Sequence, residues 1–320
     1  MAPAENLRYQ ERYFFLFVPA ASASEVPALS LYAAIDLGSN SLRLLIARVT
    51  GDKIEPLYWE MHTTRLGEGL RPGRPLSEVA VERSLSALRG WREIIRGFGV
   101  PGPAVMVVAT SAVREATNGR DFAAGVRGAT GWTVRVLSGS EEAALSYRGA
   151  ISVLGRPGVV VDIGGRSTEV IVPVLGGEVP DLFSFPLGAL RCTEENTSEH
   201  TMVKAMAPAI ERVADCGWPL IGVGGTLTTL AAIYHRLEVY DPDVVHGTFL
   251  PVETLDALVD RLASLSLEER CRLPGLQPQR ADIIVAGSRI CQAVMHWGGF
   301  SGVTVSEADI LWGVILELQA

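Results

Sequence analysis

The sequence feature that most constrains the fold is an internal repeat of a strand that ends in aspartate and turns through glycine. The segment AIDLGSNS (residues 34–41) aligns without a gap on VVDIGGRS (residues 160–167), with aspartate on aspartate, glycine on glycine and serine on serine. In each copy alternating apolar residues follow the turn and lead to a second glycine, Gly51 or Gly177. Two copies in register indicate a duplicated domain, in which each copy is a β-hairpin at a cleft between the halves.

The rest of the chain alternates strand-like and helix-like stretches almost to its end. Short apolar runs rich in β-branched residues predict strands over residues 32–35, 104–109, 133–137, 159–161, 220–223 and 303–305. Helical periodicity predicts helices over residues 77–98, 118–130, 140–153, 226–236, 252–262 and 281–297. Candidate caps at the starts of helices are Ser77, Asn118, Ser138 or Ser140, and Ser306. This alternation predicts an α/β architecture.

Length and composition narrow the class of protein. A chain of 320 residues has the length of two ordinary domains. Its 36 acidic residues outnumber its 28 basic ones, and this net charge of −8 disfavours binding to duplex nucleic acid, which requires a basic surface. No apolar run reaches the ~18 residues that span a bilayer. The cysteines form no C-x-x-C pair, which predicts reduced thiols in a cytoplasmic protein, at Cys192, Cys216, Cys271 and Cys291.

The N-terminal stretch has some features of an export signal. The apolar run Tyr13–Ala21 ends at an Ala-Ser-Ala sequence, as the core and cleavage site of a signal peptide do. However, glutamates accompany the arginines that precede the run, and the run contains Pro19. We therefore expect an upstream extension, or an extra edge segment before the first strand.

Three glycine turns have the composition of phosphate-binding loops. Residues 38–41 and 164–167 place backbone N–H groups and hydroxyls next to an aspartate, a combination that binds phosphate oxygens and a metal ion. Residues 222–226 (GVGGT) follow a strand and open a helix, where anions bind to free N–H groups. Each turn alone could be an ordinary α/β turn, but the three together favour a phosphate or nucleotide site.

Five segments in this order carry a resemblance to a known family. They are DLGSNS, TSAVREA, SGSEEA, DIGGRSTE and GVGGT, which begin at residues 36, 110, 138, 162 and 222. Together they resemble the exopolyphosphatase/guanosine pentaphosphate phosphohydrolase (Ppx/GppA) family of the actin-like superfamily. The resemblance covers about residues 31 to 318. The segments around Arg114 and Glu142 separate this family from its kinase relatives.

The resemblance implies an α/β fold of two actin-like (ribonuclease H-like) domains with an interdomain cleft. The expected division is an N-terminal extension over residues 1–30, domain I over 31–137 plus 306–320, and domain II over 138–305. The additional helical module of longer relatives is not expected. Its absence would favour shorter substrates, or a homodimer that completes the substrate groove.

The resemblance also implies a hydrolase that depends on Mg²⁺ or another divalent cation and releases terminal phosphate from inorganic polyphosphate. Glu142 matches the glutamate that activates the attacking water, and its place in the first turn of a helix favours the ionised carboxylate. Arg114 matches the arginine that clamps the terminal phosphates. Asp36 and Asp162, with Glu169 behind them, match the metal-binding positions. Phosphate contacts would come from Ser39, Asn40, Ser41, Gly164, Gly165, Arg166, Ser167, Thr168, Gly224, Gly225 and Thr226.

Two departures from the family pattern keep other functions open. Arg166 stands where the family carries a third glycine, so it would be strained at a positive φ, or it could add a phosphate ligand. Trp312 lies in a segment, ADILWG, that in the family usually includes a basic residue. The alternatives are a guanosine pentaphosphate 5′-phosphohydrolase, a phosphotransferase or ATPase of the same fold, and a non-catalytic protein that binds polyphosphate or an alarmone.

Overall fold

Two β-sheets organise the chain, for which a computed structural model describes residues 30–51, 53–174, 179–214 and 216–320. The run Tyr13–Ala21, Gly177 and all of the expected extension except Ser30 lie outside these residues. The first sheet has the order β3-β2-β1-β4-β5 and consists of β1 (Ser30–Leu37), β2 (Leu42–Thr50), β3 (Lys53–His62), β4 (Val105–Ala109) and β5 (Val134–Val136).

The second sheet repeats this arrangement and adds one edge strand. Its order is β10-β11-β9-β6-β7-β8, and it consists of β6 (Val159–Ile163), β7 (Thr168–Val172), β8 (Asp181–Phe185), β9 (Leu220–Val223), β10 (Phe249–Pro251) and β11 (Gly302–Val305). In both sheets three consecutive antiparallel strands come first, and a later strand then pairs in parallel with the first of them. The repeat in the sequence is therefore a repeat of topology, and the α/β class is confirmed.

Twelve α-helices lie in the described residues. They are α1 (Glu78–Gly97), α2 (Ser111–Glu115), α3 (Gly119–Thr130), α4 (Gly139–Leu154), α5 (Ala189–Glu194), α6 (Glu199–Val213), α7 (Gly225–Tyr234), α8 (Pro242–Val245), α9 (Val252–Ser264), α10 (Leu267–Arg270), α11 (Ile284–Trp297) and α12 (Ile310–Gln319). None of them is both long and apolar enough to cross a membrane. All four cysteines are free thiols.

Most of the predicted elements are present, and the differences have local causes. Ser138, not Ser140, caps α4, because its hydroxyl and Glu141 form a reciprocal capping box. Asp309, not Ser306, caps α12 by accepting a hydrogen bond from the Leu311 N–H group. Asn118 does precede α3, but its side chain bonds to the backbone of Leu76 instead of to the helix.

Two helices each follow the strands of one half in the sequence and pack on the sheet of the other half. The apolar face of α12 packs on the first sheet, where Ile310 and Val314 join the cluster of Leu45 and Val108. The other helix, α4, packs on the second sheet through residues that include Ala150. Because α12 contributes core residues to the first sheet, and α4 contributes Ala143 and Ala150 to the second although its Leu145 joins the first cluster, we propose that the expected division into residues 31–137 plus 306–320 and residues 138–305 describes the folded chain.

A glycine contact joins these two helices and gives a prediction about stability. A Cβ atom at Gly149 would lie 1.9 Å from the carbonyl oxygen of Asp309, so Gly149→Ala must separate α4 from α12. We expect it to lower the free energy of unfolding by about 1–3 kcal/mol. Gly90→Ala is the control, because Gly90 is exposed in α1 with no atom near its Cβ position. It should raise stability by about 0.5–1 kcal/mol. Urea denaturation measures both, and equal effects would contradict the predicted contact.

Candidate active site

The two aspartate–glycine turns face each other in a cleft between the sheets. The cleft encloses about 650 Å³, partly open to solvent, and its polar lining consists of Asp36, Gly38, Ser39, Asn40, Ser41, Arg43, Thr110, Ser111, Glu142, Asp162, Gly164, Gly165, Ser167, Gly224, Gly225, Thr226 and Arg280. The turns are in contact at its base, since a Cβ atom at Gly165 would lie 3.0 Å from the Asn40 backbone nitrogen. The repeat thus brings two rows of N–H groups and hydroxyls to one cavity.

The third predicted turn forms another wall of the same cleft, and close approach explains its glycines. Gly224 has a φ of +86°, and a Cβ atom there would lie 2.7 Å from Asp162 Oδ1. A Cβ atom at Gly225 would lie 1.8 Å from Nη1 of Arg280. A side chain at either position would displace a charged group of the cleft.

Asp36 is held by an arginine from the strand that follows its turn. The β1–β2 register pairs Asp36 with Arg43, whose Nη2 and Nε atoms donate to Asp36 Oδ2 at 2.7 and 3.1 Å. Arg43 also forms an ion pair with Asp309. Burial raises the pKa of Asp36, and the charge of Arg43 opposes this rise. The other carboxylate oxygen, Oδ1, is buried and has no hydrogen-bond partner among the described residues, so it is available to a ligand.

Asp162 has an acidic neighbour at the equivalent position. The β6–β7 register pairs it with Glu169, and its Oδ2 accepts a 2.6 Å hydrogen bond from the Ser146 hydroxyl. Burial raises the pKa of Asp162 to about 6, although the bond to Ser146 acts in the opposite direction. Burial, together with the charges of Glu142 and Asp162, raises the pKa of Glu169 well above its usual value.

Glu142 lines the cleft and pairs with Arg114, which is not itself among the lining residues. Glu142 lies in the first turn of α4, is 7% exposed, and accepts a 3.0 Å hydrogen bond at Oε2 from Arg114 Nη1. The same nitrogen donates to the Leu137 carbonyl at 2.7 Å, which fixes the guanidinium. Burial raises the pKa of Glu142 to about 8 despite the charge of Arg114. Burial therefore opposes the ionised form that we expected the helix terminus to favour, and the ionisation of Glu142 stays a prediction.

Besides Arg114, three predicted site residues do not line the cleft. The Arg166 guanidinium donates to the carbonyl oxygens of Gly67 and Leu70, away from the cavity. Its backbone is not strained either, since the described non-glycine residues with positive φ are Arg65, Asn196 and Arg236. The hydroxyl of Thr168 donates to the Leu187 carbonyl at 2.7 Å. The Glu169 carboxylate accepts a 2.7 Å hydrogen bond from Ser184, behind Asp162.

Four polar side chains of the site were absent from the predicted set: Arg43, Thr110, Ser111 and Arg280. The hairpin register could have revealed Arg43, because it follows Asp36 at the spacing that separates Glu169 from Asp162. Nothing local singles out Ser111, which bonds to the Ser39 hydroxyl at 3.1 Å.

Arg280 is the most informative of these additions. Its side chain reaches the cleft from a short 3₁₀ turn (Pro278–Arg280), and its guanidinium contacts the Gln277 amide oxygen at 3.3 Å and Met61 Sδ at 3.1 Å. Within the described part of the chain no carboxylate forms an ion pair with it. Burial lowers the pKa of Arg280 to about 10, so it remains a cation at neutral pH. A buried cation of this kind is suited to bind an anion.

The aspartates fit a magnesium ion better than a fully protein-coordinated metal. The described residues contain no group of three or more His, Cys, Asp or Glu side chains placed to hold a metal. Mg²⁺ commonly binds through one or two carboxylates and takes its other ligands from water and substrate phosphates. Asp36, with its unpartnered oxygen, and Asp162 in the opposite turn match that requirement.

The raised pKa of Glu142 predicts a pH-dependent cost in stability. Between its usual value of 4.5 and about 8, the folded protein keeps a proton that the unfolded chain has released. Its contribution to stability therefore falls as pH rises through this window. Glu142→Gln should match the wild type near pH 5 and become more stable by pH 8, by no more than about 1.4 kcal/mol per pH unit.

Thermal or urea denaturation with a chelator present measures this difference. Glu141→Gln is a control of opposite sign, because its hydrogen bond with Arg135 lowers the pKa of Glu141 to about 2. Above the unfolded pKa this variant should be less stable than the wild type. Parallel stability curves for the wild type and Glu142→Gln would contradict the assignment.

Comparison with known proteins identifies the family of the chain. The sequence profile of the Ppx/GppA phosphatase family matches residues 45–319. Exopolyphosphatase 2 of Mycobacterium tuberculosis is 34% identical over 321 residues, which cover 91% of this chain and 99% of that protein. A bifunctional 3-dehydroquinate synthase/phosphatase of Fusobacterium nucleatum is 32% identical over 311 residues. The match covers 90% of this chain but 46% of that longer relative.

Solved structures show the same fold. The Aquifex aeolicus PPX-GPPA enzyme superposes with a TM-score of 0.76 at 29% identity, covering 90% of this chain and 99% of that one. An exopolyphosphatase from Cytophaga hutchinsonii superposes with a TM-score of 0.80 at 25% identity, covering 91% and 98%. With the actin-like fold, the cleft and the family match in agreement, the chain belongs to the Ppx/GppA phosphatase family.

Proposed function

We propose that this protein is a Mg²⁺-dependent exopolyphosphatase that hydrolyses the terminal phosphoanhydride bond of inorganic polyphosphate. The observation that carries the proposal is the buried carboxyl of Glu142, held by Arg114, in the same cleft as the two glycine turns. The names of the relatives from Mycobacterium and Cytophaga support the same substrate.

In the proposed reaction, the ionised fraction of Glu142, which grows as the pH approaches its pKa of about 8, orients the attacking water and accepts its proton as the water oxygen bonds to the terminal phosphorus. The phosphoanhydride oxygen leaves with the shortened chain. Arg114 holds Glu142 by a hydrogen bond and keeps further N–H donors for the terminal phosphate, whose negative charge it would share. Phosphoryl transfer depends mainly on such positioning and charge stabilisation.

The remaining phosphates would lie along the turns. Backbone N–H groups and hydroxyls of residues 38–41 and 164–167 bind oxygens on two sides of the chain. Thr226 and Arg280 line the opposite wall, where the unpaired guanidinium offsets the charge of the polyanion. Asp36 and Asp162 would hold the metal ion, which neutralises phosphate oxygens when it is bound.

A second substrate, guanosine pentaphosphate, is favoured by a neighbouring pocket. A space of about 540 Å³ shares Arg43, Gly224, Gly225 and Arg280 with the cleft. Away from the shared wall it is lined by aromatic, amide and carboxylate side chains, among them Trp59, Tyr240, Gln277 and Glu307. Such a lining suits the flat face and the N–H donors of a purine better than it suits further phosphates.

The proposal includes expectations about the setting of the protein. We propose that it acts in the cytoplasm as a homodimer, and that it uses neither nucleic acid nor a membrane as a partner. Free thiols and an acidic net charge of −8 support these expectations.

Substitution of Glu142 tests the catalytic assignment. Glu142→Gln should lower the rate of phosphate release from polyphosphate by about 10²–10⁴-fold, because the amide cannot accept the proton of water. Glu141→Gln is the matched control, since the side chain of Glu141 pairs with Arg135 and the cap of α4. It should retain the wild-type rate. Equal rates for the wild type and Glu142→Gln would refute the proposed base.

Parallel assays with polyphosphate, guanosine pentaphosphate and ATP separate the alternatives. Release from polyphosphate supports the main proposal, and preference for guanosine pentaphosphate would replace it with the second. A requirement for an added acceptor would identify a phosphotransferase. Tight binding without release would identify a non-catalytic binding protein.

Removal of divalent cations tests the metal assignment. A chelator should abolish phosphate release, and added Mg²⁺ should restore it. Asp162→Asn should raise the Mg²⁺ concentration needed for half-maximal rate by at least about 10-fold, because it removes a metal-binding charge. Asp260→Asn, on the exposed side of α9, should leave that concentration unchanged. Full activity of the wild type in the chelator would exclude the assignment.

A further inference from the structure

A buried arginine connects the two halves of the molecule at the edge of the cleft. Arg166 belongs to the second phosphate turn and is 1% exposed, although it is a long cationic side chain. Its Nη2 atom donates to the Leu70 carbonyl at 2.7 Å and its Nη1 atom to the Gly67 carbonyl at 3.1 Å. Both acceptors belong to the first half of the chain, in a segment that we call the bridge loop (residues 65–70).

The bridge loop is in turn bonded to the first phosphate turn. The Arg65 and Gly67 N–H groups donate to the carbonyl oxygens of Asn40 and Ser39 at 2.8 and 2.7 Å. Arg166 therefore connects the second turn to the first through the backbone of Gly67, whose carbonyl accepts from Arg166 and whose N–H group donates to the Ser39 carbonyl. The contact leaves no space, since a Cβ atom at Gly67 would lie 2.5 Å from Arg166 Cδ.

Two glutamates complete the surroundings of this guanidinium. Glu194 Oε2 lies 3.4 Å from Arg166 Nη1, and its Oε1 accepts a 2.8 Å hydrogen bond from the Gly69 N–H group of the bridge loop. Glu115, next to Arg114 in α2, lies 3.8 Å from Arg166 Nη2 and also pairs with Arg191. Carbonyls and carboxylates thus compensate the buried charge, and they come from both halves of the molecule.

We propose that Arg166 is a positioning residue that clamps the two phosphate turns at a fixed spacing before substrate binds. A chain of phosphates needs both turns at once, so an enzyme that already holds them together binds it without a separate closing step. In this arrangement Arg166 does not offer its guanidinium to phosphate in the cleft, because both Nη atoms donate to the bridge loop and the residue is not part of the cleft lining.

The kinetic consequence is a change in KM and not in kcat. Without the clamp, a smaller fraction of the enzyme has the turns correctly spaced, and the apparent affinity falls by that fraction. Substrate still selects the spaced form, so turnover of the bound enzyme is preserved. A general loss of folded protein would instead lower the apparent kcat and leave KM unchanged. This readout rests on the proposed phosphate release.

The kinetic test uses Arg166→Ala and Arg166→Lys with tripolyphosphate as substrate. Arg166→Ala should raise KM by about 10-fold with kcat within about twofold of wild type. The KM of Arg166→Lys should lie between those of the wild type and Arg166→Ala, because an ammonium group cannot form the same pair of hydrogen bonds as a guanidinium group. Arg212→Ala, which removes the exposed ion pair with Asp181, is the control and should change neither constant. A lower kcat with unchanged KM for Arg166→Ala would overturn the proposal.

Glu194→Gln distinguishes a clamp from a phosphate ligand by the sign of its effect. If Arg166 clamps the turns, weakening its partner should raise KM. If Arg166 instead binds phosphate, removing the competing carboxylate should free the guanidinium and lower KM. A lower KM would therefore refute the clamp.

Hydrogen exchange tests the clamp without relying on activity. In the unliganded enzyme, the amides of Gly67 and Gly69 should lose protection in Arg166→Ala, while core amides of β1 and β6 retain theirs. Arg212→Ala should leave all of them unchanged. Unaltered protection of the bridge loop in Arg166→Ala would refute the clamp even if the protein releases no phosphate. Loss of protection in an enzyme inactive on polyphosphate would refute only the proposed function.

Discussion

The contact between the two aspartate–glycine turns is the constraint on which the site depends. Gly165 approaches the Asn40 backbone so closely that a Cβ atom would be only 3.0 Å away. These turns follow strands β1 and β6, which belong to separate sheets. Helices α4 and α12 pack on the two sheets and join them. The phosphate cleft is thus a property of the interface between two halves, since neither half alone contains both rows of N–H donors.

The two copies of the repeat have the same backbone arrangement but differ in the charges of equivalent side chains. The residue paired with Asp36 is the cation Arg43, whereas the residue paired with Asp162 is the acid Glu169. Burial affects both aspartates, but Asp36 has an ion pair to oppose the rise in its pKa and Asp162 has a like charge nearby. Equivalent positions in the repeat therefore have different electrostatic surroundings.

Local patterns predicted the elements whose signals are complete within a short stretch. The helices α1, α3, α4 and α9 and the strands β4, β9 and β11 were predicted, because periodicity and caps are local. Strand β8 and helix α5 were not, since short segments carry little periodicity and are stabilised by the core on which they pack. The helix α6 was missed as well, although Ser198 caps it and Met202 and Met206 mark its buried face.

By itself the sequence determined the duplicated turn, the α/β class, the family and most of the residues that line the cleft, because these depend on local spacing and composition. Only the tertiary structure determined which groups the ends of long side chains contact. It directed Arg166 toward the bridge loop and brought Arg280 into the cleft from a distant turn. It also buried Glu142 enough to raise its pKa to about 8. The direction of a guanidinium group and the desolvation of a carboxyl group depend on neighbours that are remote in the sequence, so no local sequence pattern predicts them.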